Sequence, residues 1–405
     1  MSFPSPAVFG KFLAFAGVAA GLAACGSGGQ AYTAPAAGSP SYSTTYTLQS
    51  AITFAKWPPA ATANPAVSSF DISQTDPVLT VDYIADRNNA GVTVLSTATQ
   101  AYLRTAGAGL FQGYKPNGPG NSPATNAGPN GLVTIGNGSG IVFAGDGDST
   151  LKVVNTNTGA LLQTQGPTVN PYTGIPLPAT CGAPGTPTTG AGNQRLDEMD
   201  YDPADGIVLA INDAACPPFG TFFSTTAPYA AIGAGIAFTT ANGGAEQPRW
   251  DPGQNLFIEP LPTSIANPNG ELDLINPKTE TIVKVIPEPS NCEANGLALG
   301  QNETLFLACS ATGEILTLNA VTGAVINTIV GYGGCDEAWY NPSSNRFFAG
   351  CSNNLPGPVA IIADGSGNLI QAIPTSTGAH SIAVDQVSDH IFLPTQKLGV
   401  QVYIH

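Results

Sequence analysis

Residues 202–211 read Asp-Pro-Ala-Asp-Gly-Ile-Val-Leu-Ala-Ile, and residues 341–349 read Asn-Pro-Ser-Ser-Asn-Arg-Phe-Phe-Ala. In both stretches a Pro-containing turn is followed by a short apolar run, a pattern that predicts one turn and one strand. A matching second half occurs at residues 151–159 and 314–323, where an apolar run ends in an Asn-x-x-Thr-Gly-like turn. The whole unit recurs at about 40–45 residues, a spacing typical of one four-stranded sheet per repeat.

One such sheet cannot bury both faces alone, so the repeats are expected to pack radially as an all-β propeller. A seventh repeat begins at His380 and has only three strands before His405. Residues 45–54, Thr-Tyr-Thr-Leu-Gln-Ser-Ala-Ile-Thr-Phe, supply the missing outer strand, and this pairing would hide two sheet edges. The prediction is seven blades closed by the N-terminal strand, with six blades as the alternative. Six complete repeats are predicted, at residues 67–112, 129–168, 194–240, 246–289, 292–333 and 335–378.

The first repeat also resembles a known family. Residues 83–88, Tyr-Ile-Ala-Asp-Arg-Asn, followed by Val-Thr-Val-Leu-Ser-Thr-Ala-Thr at 92–99, resemble the YVTN-type propeller repeat, and the resemblance extends over residues 67–405. It implies a propeller with lactonase-like, SMP-30-like and cytochrome d1-type relatives. Those relatives include hydrolases, lyases, haem proteins and binding modules, so the resemblance does not select a function.

The N-terminus reads as an export signal. Lys11 precedes an apolar stretch at residues 12–21, which ends in Leu-Ala-Ala-Cys at 22–25. This end resembles the bacterial lipobox, which implies acylation of Cys25 and anchoring in a membrane; a plain signal peptide with a chance cysteine is the alternative. Gly26, in place of Asp, favours the outer membrane. The expected division is a signal peptide at 1–24, a tether at 25–44 and the propeller at 45–405.

Six cysteines remain after Cys25, and an exported protein can keep them as disulfides. The strand hairpins place two pairs side by side, and a third pair could meet at one rim. The expected bridges are Cys292–Cys309, Cys335–Cys351 and Cys181–Cys216. The chain has no Cys-x-x-Cys motif, which argues against a redox pair, a zinc ribbon or attached haem.

The charge balance narrows the partners. Without Lys11 the mature chain has 11 of the 12 basic residues against 27 acidic ones, a net charge of −16. Such a surface repels nucleic acid, and no nucleotide-binding loop appears in the sequence. The expected partners are the membrane, through the lipid, and a small-molecule or protein ligand.

Polar residues recur just before the turn of successive inner strands, where a propeller has its central channel. Blade 1 offers Asp71 at this position, and blade 4 offers Glu246 and Gln247. The predicted ligand- or metal-binding residues are Asp197, Glu198, Glu293, Asn295, Asp336, Glu337 and His380.

Converging carboxylates and an amide suit a hard divalent cation such as Ca²⁺, or hydrogen bonds to a sugar-like ligand. Like charges would raise a carboxyl pKa, so Glu198, Glu337 and His380 are the candidates for general acid–base catalysis. A water-filled channel lined by ordinary polar residues is the alternative. The predicted function is an exported binding or scaffold module, and the alternative is a lactonase-like, SMP-30/gluconolactonase-type metal-dependent hydrolase.

Overall fold

The computed structural model describes residues 45–54, 69–115, 126–172, 195–311, 313–355 and 357–405. These residues form seven antiparallel sheets of four strands each. The prediction of an all-β propeller with seven blades is therefore confirmed, and the six-bladed alternative is wrong.

Each of the first six blades uses four consecutive strands, running from the channel outward. Blades 1 to 3 comprise β2 Phe70–Asp76, β3 Val81–Asp86, β4 Gly91–Ser96 and β5 Ala101–Ala106; β6 Leu132–Thr134, β7 Ile141–Gly145, β8 Leu151–Asn155 and β9 Ala160–Gln165; β10 Met199–Asp202, β11 Ile207–Asn212, β12 Phe219–Ser224 and β13 Ala231–Ala237. Blades 4 to 6 comprise β14 Arg249–Asp251, β15 Leu256–Leu261, β16 Glu271–Asn276 and β17 Thr281–Pro287; β18 Ala294–Leu299, β19 Thr304–Cys309, β20 Glu314–Asn319 and β21 Val325–Val330; β22 Ala338–Asn341, β23 Arg346–Cys351, β24 Val359–Asp364 and β25 Leu369–Pro374.

Blade 7 joins the two ends of the described chain. Its strands are β26 Ala383–Val384, β27 Ile391–Thr395, β28 Gly399–Ile404 and the N-terminal β1 Thr47–Ile52. β1 pairs antiparallel with β28, from Thr47 opposite Ile404 to Ile52 opposite Val400. The predicted closure by the N-terminal strand is confirmed, and it removes the free edge that β28 would otherwise expose.

The core lies between neighbouring blades. In blade 1 the first three strands are buried almost throughout, whereas β5 has three consecutive exposed residues. Leu209 and Phe222 of blade 3, for example, share one apolar cluster with Phe257 and Ile275 of blade 4. Burial of both faces of each sheet follows, because every blade packs between two others.

Two of the three expected disulfides are confirmed. Cys292 is bonded to Cys309, and Cys335 to Cys351, so each bridge joins the two innermost strands of its blade. Cys216 is disulfide-bonded, while Cys181 lies outside the described residues.

The predicted signal peptide, Cys25 and the predicted tether lie outside the described residues as well. Within the described part of the chain, no helix has the length and apolar character needed to cross a bilayer.

Candidate axial binding site

Acidic side chains meet at the central channel, where the inner strands begin. Asp197 and Glu198 immediately precede β10, and Asp336 and Glu337 immediately precede β22. Burial, followed by the charges of Asp197, Glu337 and other acidic neighbours including Asp336, raises the pKa of Glu198. Asn295 of β18 donates a hydrogen bond from Nδ2 to Asp336 Oδ1 (3.1 Å). The structure thus brings these five predicted residues together from blades 3, 5 and 6.

His380 reaches the same group from the segment that leads into blade 7. Its Nε2 is 3.5 Å from Asp71 Oδ1, and its ring stacks on Phe70 with ring centroids 4.6 Å apart. Burial lowers the pKa of His380, but the Asp71 hydrogen bond and the charge of Asp336 outweigh burial and raise it overall. Blade 1 therefore contributes Asp71 to the site.

Two arginines line the same mouth. Arg87, just after β3, forms an ion pair with Asp71 and donates from Nε to Asn130 Oδ1 (3.0 Å), which ties blade 1 to blade 2. Arg195 contacts Asp197 (2.6 Å) and Asp213 (2.7 Å). These guanidinium groups neutralise part of the acidic rim and fix the positions of its carboxylates.

A third arginine lies deeper. Arg249 on β14 has no exposed surface, and its guanidinium donates to Ala338 O (2.8 Å) and lies over the Trp339 ring at 4.1 Å. Gln247 Oε1 accepts a hydrogen bond from the Ala338 amide (3.3 Å). Both contacts run from blade 4 to blade 6, past the inner strand of blade 5. Gly296 on that strand allows the segment before β22 to lie close to blade 5, because a Cβ at Gly296 would lie 2.3 Å from Asp336 O.

Several carboxylate oxygens at this site have no donor. Asp197 Oδ1, Glu198 Oε2 and Glu337 Oε1 are buried and accept no hydrogen bond. Burial, then the charges of Asp336 and Asp71, raises the pKa of Glu337, and burial likewise raises the pKa of Asp197. Buried polar atoms normally have partners, so these oxygens favour a protonated group, a cation or a ligand that donates hydrogen bonds.

Two acidic residues from the same sequence pattern are placed differently. Glu246 remains near the rim, and burial together with the charges of Asp213 and Asp336 raises its pKa. Glu293 lies beside Glu288 at the junction of blades 4 and 5, and within the described residues no hydrogen bond or ion pair joins its side chain to the axial group.

Sequence reasoning missed the basic half of the site. Arg87, Arg195 and Arg249 were not predicted to lie at the channel, and neither was Asp213, the acidic partner of Arg195. The position of Arg87 could have been predicted from the YVTN-like stretch at 83–88. Arg87 directly follows a strand in that stretch, and the end of this strand lies near the channel.

Comparison with known proteins supports the fold. No protein-family model matches the chain, and no curated protein matches it. A chain from the crystal structure titled "Crystal Structure of Mitotic Checkpoint Complex" matches with a TM-score of 0.57 and 12% sequence identity, over 93% of this chain and 97% of that one. Similarity at this level of identity shows the fold alone, and the chain is a seven-bladed β-propeller whose fold fits a binding or scaffold module.

Proposed function

We propose that the protein is an exported, lipid-anchored β-propeller that binds a ligand at the mouth of its central channel, with a divalent cation held among the axial carboxylates. The observation that supports this proposal is the set of buried, unpartnered oxygens of Asp197, Glu198 and Glu337, which come from blades 3 and 6 and meet at one place.

The charge balance of the site favours a cationic or hydrogen-bond-donating ligand. Arg87, Arg195 and Arg249 face a larger number of carboxyl groups, whose charges act on one another. These carboxyl groups belong to Asp71, Asp197, Glu198, Asp213, Glu246, Asp336 and Glu337. Like charges at this spacing either retain protons or bind a cation, and a cation would offset their repulsion. Carboxylate and amide oxygens, including that of Asn295, are the ligands that Ca²⁺ takes.

Thermal unfolding with chelator, with CaCl₂ and with ZnCl₂ tests the proposal. We expect one cation to raise the melting temperature of the wild type, because a ligand that binds only the folded state stabilises it. Glu337→Gln and Glu198→Gln should weaken that response, whereas Asp205→Asn, at an exposed ion pair with Lys278, should preserve it. If neither cation nor chelator changes the melting of the wild type, the channel is only filled with water and the proposal fails.

The anchor is a separate part of the proposal and rests on the run from Leu22 to Cys25. We expect the wild-type chain to incorporate a labelled fatty acid and to sediment with membranes. Cys25→Ser should lose the label and be released. Equal labelling of the variant would contradict a lipid on Cys25.

A lactonase-like hydrolase is the second candidate. It is supported by His380 lying beside Asp71 and Glu337, since a carboxyl of raised pKa next to an imidazole suits general acid–base catalysis. A screen of lactones and esters with the purified protein tests it. Turnover that disappears in His380→Asn would favour the enzyme over the binding module.

A further inference from the structure

We propose that Asp71, Glu337 and His380 form a three-ligand site for a divalent transition metal of the Zn²⁺ class. One ligand atom from each residue lies within 4.8 Å of the other two. The residues come from three blades: Asp71 is on β2, Glu337 precedes β22 and His380 precedes β26. This inference rests on the proposed function in taking the channel mouth as the binding site, and it changes the expected cation.

Both carboxylates have one oxygen fixed by a neighbour and one left for a metal. Asp71 Oδ2 is paired with Arg87, while Asp71 Oδ1 faces His380 Nε2. Glu337 Oε2 accepts a hydrogen bond from Ser381 Oγ (2.6 Å), while Oε1 has no donor. Metal-ligating carboxylates are usually held by such outer hydrogen bonds, which orient them toward the ion.

The imidazole is oriented in the same way. His380 Nδ1 is 3.0 Å from Gly378 O, so an Nδ1–H donates to this carbonyl and Nε2 is left to face Asp71, where a metal would replace the Nε2 proton. The parallel stack on Phe70, with an interplanar angle of 1°, fixes the ring plane. A backbone carbonyl on one ring nitrogen is the usual support for a histidine whose other nitrogen binds a metal.

The burial of Glu337 gives an independent reason to expect a ligand. The residue is 1% exposed, and Oε1 has no protein donor among the described residues. An isolated carboxylate oxygen in such a position is costly unless a cation or a proton satisfies it. Arg249 contributes to the surrounding field but donates to Ala338 O, not to this oxygen.

Donor type and spacing favour Zn²⁺ over Ca²⁺. Imidazole nitrogen is a ligand for Zn²⁺, whereas Ca²⁺ takes oxygens. A tetrahedral ion about 2.0–2.1 Å from its ligands separates neighbouring ligand atoms by about 3.3–3.5 Å. The distance of 3.5 Å between Asp71 Oδ1 and His380 Nε2 agrees with that geometry. Three protein ligands leave a fourth position for water or a bound ligand.

A proton is the alternative occupant. A protonated His380 would donate to Asp71 directly, and the pair would then need no metal. The two alternatives differ in their response to zinc. If His380 and Asp71 are joined only by a proton, a titration with zinc shows no saturable binding at this pair.

Isothermal titration of the full chain in detergent with ZnCl₂ tests the inference. We expect one zinc per chain, and a loss of that binding in His380→Asn. Ser381→Ala, which removes only the outer hydrogen bond to Glu337, should weaken zinc binding by about 10–100-fold while preserving the fold. His390→Asn is the matched control, since it removes a histidine from blade 7 outside the trio, and it should bind zinc as the wild type does.

The outcomes separate this inference from the proposed function. Wild-type affinity for zinc in a folded His380→Asn variant, or calcium binding at the same affinity as zinc, would overturn the metal assignment. If CaCl₂ alone stabilises the protein in a manner that depends on Glu337, the binding function stands and the zinc site falls. If neither metal binds, both fall.

Discussion

At the residue scale, the least expected feature is a pair of buried acidic residues in blade 4, in addition to the acidic residues at the axis. Glu259 on β15 lies opposite Asp273 on β16, and both are wholly buried. Neither is in an ion pair within the described residues, and their oxygens accept no hydrogen bond of good geometry. They lie on the same face of the sheet as Phe257 and Ile275, which belong to the apolar cluster between blades 3 and 4.

This pair predicts a stability that falls as pH rises. Burial, then the charge of Glu271, raises the pKa of Asp273 to about 7, and burial, then the charges of Asp273 and Glu246, raises that of Glu259. A group with a raised folded-state pKa contributes stability that is complete below its unfolded pKa, about 4, and is lost as pH rises through the folded value. We expect the ionisation equilibrium of Asp273 to lower the free energy of unfolding by about 1.4 kcal/mol per pH unit between about pH 4 and 7.

Urea unfolding of the wild type and Asp273→Asn at intervals from pH 5 to 8 checks this expectation. The variant should show a flatter profile. Glu314→Gln, at a partly exposed glutamate on β20, is the control and should keep the wild-type slope. Parallel profiles for the wild type and Asp273→Asn would mean that Asp273 does not titrate in this range.

At the element scale, Tyr46 fixes the N-terminal strand to the ring. Its hydroxyl contacts Asp389 and Arg346, the latter at 2.6 Å, and its ring packs edge-on against Phe348. Its backbone amide donates to Gln371 Oε1 (2.7 Å) on the outer strand of blade 6. The residue before β1 therefore joins blade 7 to blade 6.

We expect Tyr46→Phe to lose about 1.5–3 kcal/mol of unfolding free energy, because hydrogen bonds to charged groups contribute that much. Tyr102→Phe is the matched control, since among the described residues the Tyr102 hydroxyl is hydrogen-bonded only to Thr105, on the exposed outer strand of blade 1. Chemical denaturation measures both. An equal loss in the two variants would assign no special role to the Tyr46 network.

The disulfides act at the same scale, within single blades. The bridge from Cys335 to Cys351 spans 16 residues of sequence, and a loop of this size restricts the unfolded chain by about 3 kcal/mol. We expect a double Cys335→Ala, Cys351→Ala variant to lose about that amount on denaturation. A reducing agent should then have a smaller effect on the variant than on the wild type, which also loses this bridge.

At the scale of the whole molecule, stability depends on ring closure. Without β1, the last strand β28 would present an open edge carrying the buried residues Val400 and Val402. An exposed edge strand of this kind pairs with other chains. The N-terminal strand therefore covers the edge that β28 would otherwise offer to another chain.

Deleting residues 45–54 tests closure directly. We expect a lower melting temperature and self-association on size-exclusion chromatography, with recovery when a synthetic peptide of residues 45–54 is added, since a free strand can complete a sheet edge. Deleting residues 30–39, in the predicted tether, is the control of equal length. Unchanged melting after deletion of residues 45–54 would contradict a closing role for β1.

The sequence by itself determined the number of blades, their closure and two disulfide pairings. These features follow from local signals, namely the turn residues, the strand period and the count of strands between residue 67 and His405. Hairpin register is local as well, which is why Cys292 could be paired with Cys309 from the sequence.

The tertiary structure alone decided how the predicted axial side chains pair, and which basic residues join them. Glu293 adopts a positive φ of 50°, so the chain turns at this residue, and strand alternation could not place its side chain. Arg249 spans from blade 4 to blade 6, a reach set by ring packing and by the length of its side chain. Asp71 and His380 are more than 300 residues apart in sequence and meet only because the ring brings blade 7 back beside blade 1. Contacts between distant blades depend on closure, and no local pattern in the sequence encodes them.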